Sequence, residues 1–272
     1  MRDMNQKYMT EVLNYKKNDA IIAFLVFACY VIVMVASGLA NLFFGLSMMG
    51  SWLNLVVIVA LLLLVLLRKE RLSSIGIGGE NLVKALCLGL LCGAISIVVQ
   101  GIVPLINGCA FAPLNQIMNR FIYQLVFIAL AEEIVFRGYI QTRLYGMIKG
   151  EIPAIMTGAL LFSVMHLPYM FILNGVAELL TLQTLILLAF WFAMHIILNF
   201  VYRRTGSIFG VVLFHALYNT ANNIFSDVDT MLFGFDFSYI THGAIPVLLA
   251  IAFLIIESKT SSSPCCKEHD IS

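Results

Sequence analysis

The stretch WLNLVVIVALLLLVLLRKER, residues 52–71, decides the fold class. Its first 16 residues carry no charge, whereas three of the last four are basic. Inside lipid the backbone must satisfy its own hydrogen bonds, so an apolar run of this length predicts a membrane-spanning helix. Trp52 would lie at one membrane interface, and Arg68 would mark the other.

The rest of the chain repeats this pattern. Of its 272 residues, 61% are hydrophobic and 11% are charged, against about half and about a quarter in a soluble domain. We therefore predict an all-α, polytopic membrane protein of about eight transmembrane helices, forming one integral-membrane domain over residues 1–272. The apolar runs fall at about 20–48, 52–67, 83–106, 121–143, 153–173, 179–202, 206–225 and 240–257.

The basic residues predict how these helices are oriented. Every Lys and Arg except Arg120 lies in or beside alternate connections, and the other connections are neutral or acidic, as in SDVDTMLFGFDFSYITH at residues 226–242. By the positive-inside rule, both termini are cytoplasmic. The formal net charge of +1 gives no reason to expect a nucleic-acid partner.

Small residues at four-residue spacing predict close packing between helices. Gly89 and Gly93 form one such pair, and Gly206 and Gly210 form a second. The six cysteines show no metal-binding spacing. The two at 265–266 lie in the polar tail, where a lipid anchor and a reduced thiol are both compatible with the sequence.

A second stretch, LAEEIVFRGYI at residues 130–140, places charges inside an apolar run. Such groups are costly in hydrocarbon unless they are paired or line a wet cavity. Glu133 and Arg137 are four residues apart, which predicts a structural ion pair on one helix face. Glu132 is rotated by about 100° from Glu133 and lacks that partner. We therefore interpret Glu132 as a candidate general base.

Further polar positions interrupt the apolar runs at His166, at His195 with Asn199, and at His215 with Asn219. The two His and Asn pairs have the same spacing, so spacing does not choose between them. A histidine in a membrane helix can also be structural, by binding a backbone carbonyl.

Helix geometry indicates which of these residues share a layer. At about 1.5 Å per residue from the basic end of each helix, Glu132 is about 16 Å deep, His166 about 20 Å and His215 about 14 Å. His195, at about 12 Å, is not excluded by depth. We expect the layer nearer the cytoplasm than the outside. A carboxylate, two imidazoles and an amide in one layer are typical of a site that activates water.

The motifs EEIVFRG, FSVMH and HALYN occur in this order on successive predicted helices, and the last follows the helix entry RRTGSIFG. They resemble the E-E-x-x-x-R, F-x-x-x-H and H-x-x-x-N motifs of the CAAX protease and bacteriocin-processing (CPBP, or Abi) family of intramembrane endopeptidases, which includes the Ras-converting CAAX endoprotease. The resemblance covers about residues 120–225, the expected catalytic core. It favours His215 over His195, which we then interpret, with Asn199, as a helix-packing residue.

The resemblance implies a helical fold with a conical cavity open to the cytoplasm and to lipid. It implies that Glu132 is the general base and that His166 holds and activates the water. His215 and Asn219 would donate hydrogen bonds to the tetrahedral oxyanion. Three residues would support this geometry: Glu133, Arg137 and Phe162.

The sequence leaves metal dependence open. Glu132, His166 and His215 can make a three-ligand zinc site of the open catalytic kind. However, the chain has no H-E-x-x-H motif, and Glu132 cannot easily be both ligand and base. We therefore favour a glutamate mechanism that requires no cofactor over one that uses a divalent metal.

Together these residues predict an intramembrane endopeptidase that hydrolyses a peptide bond in a lipidated (CAAX-type) or membrane-bound peptide within the bilayer. One alternative is a proton-coupled transporter, which uses the same residue types, although no inverted repeat is evident in the sequence. Another is a non-catalytic membrane regulator or immunity protein of the same family. The location would be the cell membrane in a bacterium or the endoplasmic reticulum membrane in a eukaryote.

Overall fold

The computed structural model describes residues 8, 10–46, 48–78, 81–179, 181–221 and 223–261, so the cysteine pair at 265–266 lies outside the described residues. Within these ranges the chain is almost entirely helical. Six of the described helices are long and apolar enough to cross a membrane. The prediction of an all-α, polytopic membrane protein is confirmed.

The principal helices are, in chain order, α1 (Lys17–Phe44), α2 (Met49–Leu67), α3 (Leu82–Ile106), α4 (114–144), α5 (Glu151–Val164), α6 (Leu167–Asn174), α7 (Leu182–Thr205), α8 (Ile208–Ala221) and α9 (Ile245–Ser261). A 3-10 turn at Leu72–Ile75 precedes α3, and a π-helical turn at Tyr239–Ala244 leads into α9. Two short strands, β1 (Met231–Leu232) and β2 (Phe235–Asp236), pair antiparallel in the α8–α9 connection.

Backbone chemistry explains where several helices end. Gly45 and Gly206, with φ of 65° and 67°, end α1 and α7 in the left-handed region that favours glycine. The predicted helix 153–173 is two helices, because the chain turns at His166 and Pro168 sits in the first turn of α6. Helix α8 has 14 residues, or about 21 Å, which is shorter than the hydrocarbon core of about 30 Å.

Helix α4 departs from regular α-helical geometry at two places. It is π-helical at Gln124–Ala129 and again at Ile134–Ile140. The short α-helical piece between these two segments, Leu130–Glu133, carries both adjacent glutamates. Single π-helical turns inside α-helices are found frequently at functional sites.

Helices α3 and α8 approach each other closely through glycine. A Cβ atom on Gly89 would collide with the carbonyl group of Gly210, and one on Gly93 would lie 2.7 Å from the Cβ of Leu217. The packing role predicted for Gly89, Gly93 and Gly210 is therefore confirmed. The role predicted for Gly206 is wrong, because this residue is the left-handed end of α7 and does not share a helix with Gly210.

The basic connections gather at one end of the helix bundle, which we call the basic end. Arg143 and Arg203 are fully buried there. The opposite end, which we call the loop end, carries the connections 107–113 and 223–238, joined by a backbone hydrogen bond from Ala112 to Ile224 of 2.8 Å. The ion pairs of the basic end join Arg68 to Asp19 and Glu70, Arg143 to Glu70, and Arg203 to Glu151 and Glu257.

Candidate active site

Helix α4 presents one stripe of side chains to a cavity between the helices. The stripe consists of Arg120, Gln124, Ile128 and Glu132, each four residues from the next. A regular α-helix of 3.6 residues per turn drifts away from such a spacing. The wider π-helical turn at Gln124–Ala129 offsets part of this drift, so the four side chains stay on one wall.

Glu133 points away from this cavity and into the protein. Its Oε1 accepts a hydrogen bond from Nη1 of Arg137 at 2.9 Å and another from Nδ1 of His215 at 2.6 Å. Glu133 and Arg137 have no exposed surface, and the guanidinium carbon of Arg137 lies 4.0 Å from the centroid of the Phe162 ring. The predicted ion pair is present, and the bond from Glu133 to His215 is a contact that the sequence did not predict.

The bond to Glu133 defines which nitrogen of His215 faces the cavity. An ionised carboxylate only accepts hydrogen bonds, so Nδ1 of His215 carries a proton. Nε2 then points toward the cavity, where it lies 4.0 Å from Oε2 of Glu132. The two adjacent glutamates therefore contact opposite edges of one imidazole. Carboxylates orient the histidines of many metal sites in the same way.

Glu132 lies in the wall of the cavity and keeps 8% of its surface exposed. The rotation between neighbouring helix positions separates it from Glu133, as expected. Its Oε2 lies 4.0 Å from Nε2 of His215. A carboxylate in this position reaches any water that the cavity admits.

His166 lies at the break between α5 and α6 and lines the same cavity. Its Nδ1 donates to the carbonyl oxygen of Phe162 at 2.9 Å, which leaves the Nε2 lone pair of the neutral ring free to accept a hydrogen bond. The ring stacks on Trp191 of α7, with centroids 3.9 Å apart and planes 5° from parallel. These two contacts hold His166 in one orientation.

Asn219 follows His215 by one turn of α8 and also lines the cavity. Its Nδ2 donates to Oε1 of Gln124 at 3.2 Å. A primary amide has two N–H donors, so a second hydrogen can reach a ligand. Gln124 thereby fixes which end of the Asn219 amide donates.

His195 and Asn199 lie outside the residues that line this cavity. His195 is fully buried, and its Nε2 is 2.9 Å from Oε1 of Gln141. A Cβ on Gly158 would lie 2.7 Å from that nitrogen, so α5 packs tightly against the pair. This placement agrees with the helix-packing interpretation of His195 and Asn199.

The cavity has a volume of about 500 Å³, within the range of pockets that hold small ligands. It extends along α4 from Glu132 to Arg120, and therefore toward the loop end. The predicted opening of the cavity to the cytoplasm stays a prediction. Besides the α4 stripe, its lining consists of Tyr123, Phe162, His166, Tyr169, Phe190, Trp191, Met194, Leu198, His215 and Asn219.

A metal site requires several donor side chains close together. Among the described residues, no three His, Cys, Asp or Glu side chains are grouped closely enough to hold one. Of the suggested ligands Glu132, His166 and His215, Oε2 of Glu132 and Nε2 of His215 lie 4.0 Å apart. The arrangement as it stands does not fit a three-ligand zinc site.

Sequence reasoning missed two residues that shape the site. Gln124, which binds Asn219, is eight residues before Glu132, and its position on the four-residue stripe was a usable signal. Trp191 gave no such signal, because α7 is apolar on most of its faces and contains several aromatic residues. Its stacking on His166 depends on tertiary packing.

The fold defines an integral, multi-pass membrane protein. Its cavity is lined by a carboxylate, two imidazoles and an amide from three separate stretches of the chain. These residue types can activate a water molecule, and they belong to the three motifs found in the sequence.

Residues 114–221 match the family model described as type II CAAX prenyl endopeptidase, Rce1-like. The match includes all three motifs and supports membership of the CAAX protease family, in agreement with the resemblance found in the sequence. It supports a CAAX-type intramembrane endopeptidase in general, with a membrane-embedded substrate. No curated protein and no solved structure is significantly similar to the chain. The metalloprotease and Abi assignments stay predictions.

Proposed function

We propose that this protein hydrolyses a peptide bond in a lipidated or membrane-bound peptide, with Glu132 as the base that activates the water. The observation that supports this most directly is the position of Glu132. Its carboxylate is in the cavity wall, 4.0 Å from Nε2 of His215, and the same cavity is lined by His166 and Asn219.

In the proposed first step, a water molecule attacks the carbonyl carbon of the scissile bond. Glu132 takes a proton from this water as the new C–O bond forms. Nε2 of His166 accepts the second hydrogen of the water and orients it, because Nδ1 is already bonded to the carbonyl of Phe162. The carbonyl oxygen becomes the oxyanion of a tetrahedral intermediate.

Two donors meet that oxyanion in the proposal. Nδ2 of Asn219 provides the hydrogen that Gln124 does not use. Nε2 of His215 provides the second hydrogen. Because Nδ1 of His215 already donates to Glu133, this role requires a proton on both ring nitrogens. Preorganised donors of this kind contribute about 3–4 kcal/mol each in comparable sites. The C–N bond then breaks, and Glu132 returns its proton to the leaving amine.

No cofactor is needed for these steps. The alternative is a divalent metal held by Glu132, His166 and His215, which requires the three side chains to move together. Dialysis of the purified protein against a chelator separates the two mechanisms. Unchanged activity supports the glutamate mechanism, whereas loss of activity that zinc restores supports the metal.

The decisive experiment compares Glu132→Gln with wild type on a prenylated CAAX peptide and on a panel of membrane peptides. We expect a loss of kcat of about 10²-fold to 10⁴-fold, as for removal of a general base. The matched control is Asp227→Asn, which makes the same chemical change at an exposed position of the loop end. Equal activity of Glu132→Gln and wild type would exclude Glu132 as the base.

The same variants test the two alternatives. A non-catalytic regulator predicts that Glu132→Gln fully rescues a deletion phenotype. A proton-coupled transporter predicts flux in proteoliposomes that depends on Glu132 without any cleaved peptide.

A further inference from the structure

The α4 wall of the cavity carries a charged side chain at each of its ends. Glu132 lies at one end and Arg120 at the other, with Gln124 and Ile128 between them. The two charged positions are separated by about 18 Å of helix. The proposed hydrolysis uses the Glu132 end and gives no role to the cation at the Arg120 end.

The cations at the Glu132 end already have carboxylate partners. Arg137 binds Glu133 at 2.9 Å, and Nδ1 of His215 lies 2.6 Å from the same carboxylate. Nε2 of His215 faces Glu132 at 4.0 Å. A negatively charged group of a ligand would therefore have to compete with these two glutamates in order to bind a cation at this end.

Arg120 has no carboxylate to compete for it. Its side chain is exposed and lines the cavity, and its guanidinium carbon lies 5.5 Å from the ring centroid of Tyr123. None of the carboxylates that the structure describes forms an ion pair with it. The guanidinium group presents its N–H donors in a planar fork that matches a carboxylate. The Arg120 end of the cavity can therefore bind a carboxylate group of a ligand.

Gln124 provides a second donor, one helical turn nearer to Glu132. Its Oε1 accepts a hydrogen bond from Asn219 at 3.2 Å. Its Nε2 has no hydrogen-bond partner within the described part of the chain, and the residue lines the cavity. This N–H group can donate to a backbone carbonyl of an extended peptide that lies along α4.

We propose that Arg120 binds the C-terminal carboxylate of the peptide substrate, and that Gln124 binds the backbone between this carboxylate and the scissile bond. The proposal rests on the proposed function and adds the direction of the peptide, whose leaving fragment follows α4 from Glu132 to Arg120. Acidic side chains are rare in segments that enter a membrane, whereas every peptide with an unmodified C terminus carries a carboxylate. The terminal carboxylate is therefore the anion that Arg120 binds.

The distance between Glu132 and Arg120 limits the length of the leaving fragment. Side chains on a helix lean in one direction along its axis, so the two charged groups are about as far apart as their helix positions, about 18 Å. A contact of about 3 Å at each end leaves about 12 Å for the peptide. An extended chain covers about 3.3–3.6 Å per residue, which gives about three or four residues after the scissile bond.

The first test compares two forms of one peptide on the purified wild-type protein. The peptide is the member of the panel that is cleaved fastest, and its two forms differ only in a free C-terminal carboxylate or a C-terminal amide. We expect KM for the amide to be about two- to fivefold higher, the effect of one exposed ion pair, with kcat unchanged. Equal KM values for the two forms would exclude a carboxylate site, and this result needs no variant.

Arg120→Gln identifies the residue that binds the carboxylate. KM for the free acid should rise by the same factor, whereas KM for the amide should not change, and Arg120→Lys should keep part of the preference for the acid. The matched control is Arg71→Gln, at an exposed arginine in the connection between α2 and α3, which should behave as wild type. If Arg120 only supports the fold or anchors α4 at the membrane surface, both peptides lose equally, and the proposal is wrong.

Charge exchange and fragment length provide two further readouts. Arg120→Glu should prefer the same peptide with a C-terminal aminoethylamide, which ends in an ammonium group. In a series of peptides with leaving fragments of increasing length, the preference for acid over amide should be largest at about three or four residues and should disappear in Arg120→Gln. A preference that does not depend on fragment length would contradict the proposed placement of the peptide along α4.

A binding measurement separates this proposal from the proposed function. The acid and amide forms of a prenylated CAAX peptide, labelled at the N terminus, are titrated with the inactive Glu132→Gln protein, and binding is followed by fluorescence anisotropy. Tighter binding of the acid, without cleavage of any peptide by wild type, would leave the carboxylate site in place and contradict the endopeptidase. Cleavage by wild type without any preference for the acid would contradict the carboxylate site and leave the endopeptidase in place.

Discussion

The buried pair of Glu133 and Arg137 gives the sharpest stability prediction. Both side chains are without exposed surface and their charged atoms are 2.9 Å apart. At an effective dielectric constant of about 20, two charges about 4 Å apart attract by about 4 kcal/mol. Removing one partner of a buried pair also leaves an uncompensated charge, at a cost of about 3–5 kcal/mol. Glu133→Gln and Arg137→Met should each lower the free energy of unfolding by about 3–5 kcal/mol.

The double variant should be much less destabilised than the two single variants together. With both charges removed, the amide oxygen introduced by Glu133→Gln can still accept the hydrogen of His215, and the Met side chain fills the space of the Arg stem. We expect the double variant within about 2 kcal/mol of wild type, hence a coupling energy of about 3 kcal/mol or more. Equilibrium unfolding in mixed micelles of a mild and a denaturing detergent measures all four proteins.

A control cycle uses Arg68 and Asp19, whose side chains are 27% and 17% exposed. Solvent screening there should reduce the coupling energy to about 1 kcal/mol or less. If the Glu133 and Arg137 effects are additive, or if the control pair couples as strongly, the argument from burial is refuted.

Three other substitutions follow from the structure. Trp191→Ala should lower kcat about 2- to 12-fold with little change in KM, because about 0.5–1.5 kcal/mol of ring stacking on His166 is lost. Trp191→Phe should restore most of the kcat. A purely structural role would instead lower the unfolding temperature of the Ala variant without this rescue. Asn219→Ala should lower kcat about 10²-fold through loss of an oxyanion donor, measured at saturating peptide, and a change confined to KM would contradict that role. Gly210→Ala should lower the free energy of unfolding by about 1–3 kcal/mol, since the added Cβ has no room against the facing helix. In the control Gly243→Ala, the added Cβ lies 3.5 Å from Ile186, so this variant should be nearly as stable as wild type.

Much of the fold was predictable because lipid restricts the chain to helices. The predicted and observed ends of α3, 83–106 and Leu82–Ile106, differ by one residue. The errors occur where hydropathy carries no information about geometry. The apolar run 153–173 hides the break at His166, and the run 206–225 includes residues on both sides of α8 that are not helical.

The candidate site was predictable where polar and ionisable residues interrupt the apolar runs of the sequence. Ionisable residues in hydrocarbon are few, so Glu132, His166, His195 and His215 stood out as candidates. The motif resemblance was needed to choose His215 over His195. The direction of the cavity could not be obtained in this way. The depth of a residue along its helix assigns it to a layer of the membrane, but it does not indicate which side of that layer is packed with protein. Only the tertiary arrangement distinguishes the buried half of α4 from the half that carries Arg120.

The two adjacent glutamates acquire different environments because one imidazole lies between them. Neighbouring helix positions point about 100° apart, which turns Glu133 into the protein and Glu132 into the cavity. His215 reaches across α4 with Nδ1 on Glu133 and Nε2 toward Glu132. Arg137 balances the charge of Glu133, and this leaves Glu132 as the carboxylate that faces the solvent-accessible side of the ring. A single substitution at Glu133 should therefore disturb both stability and the orientation of His215, whereas one at Glu132 should disturb catalysis while leaving the buried ion pair intact.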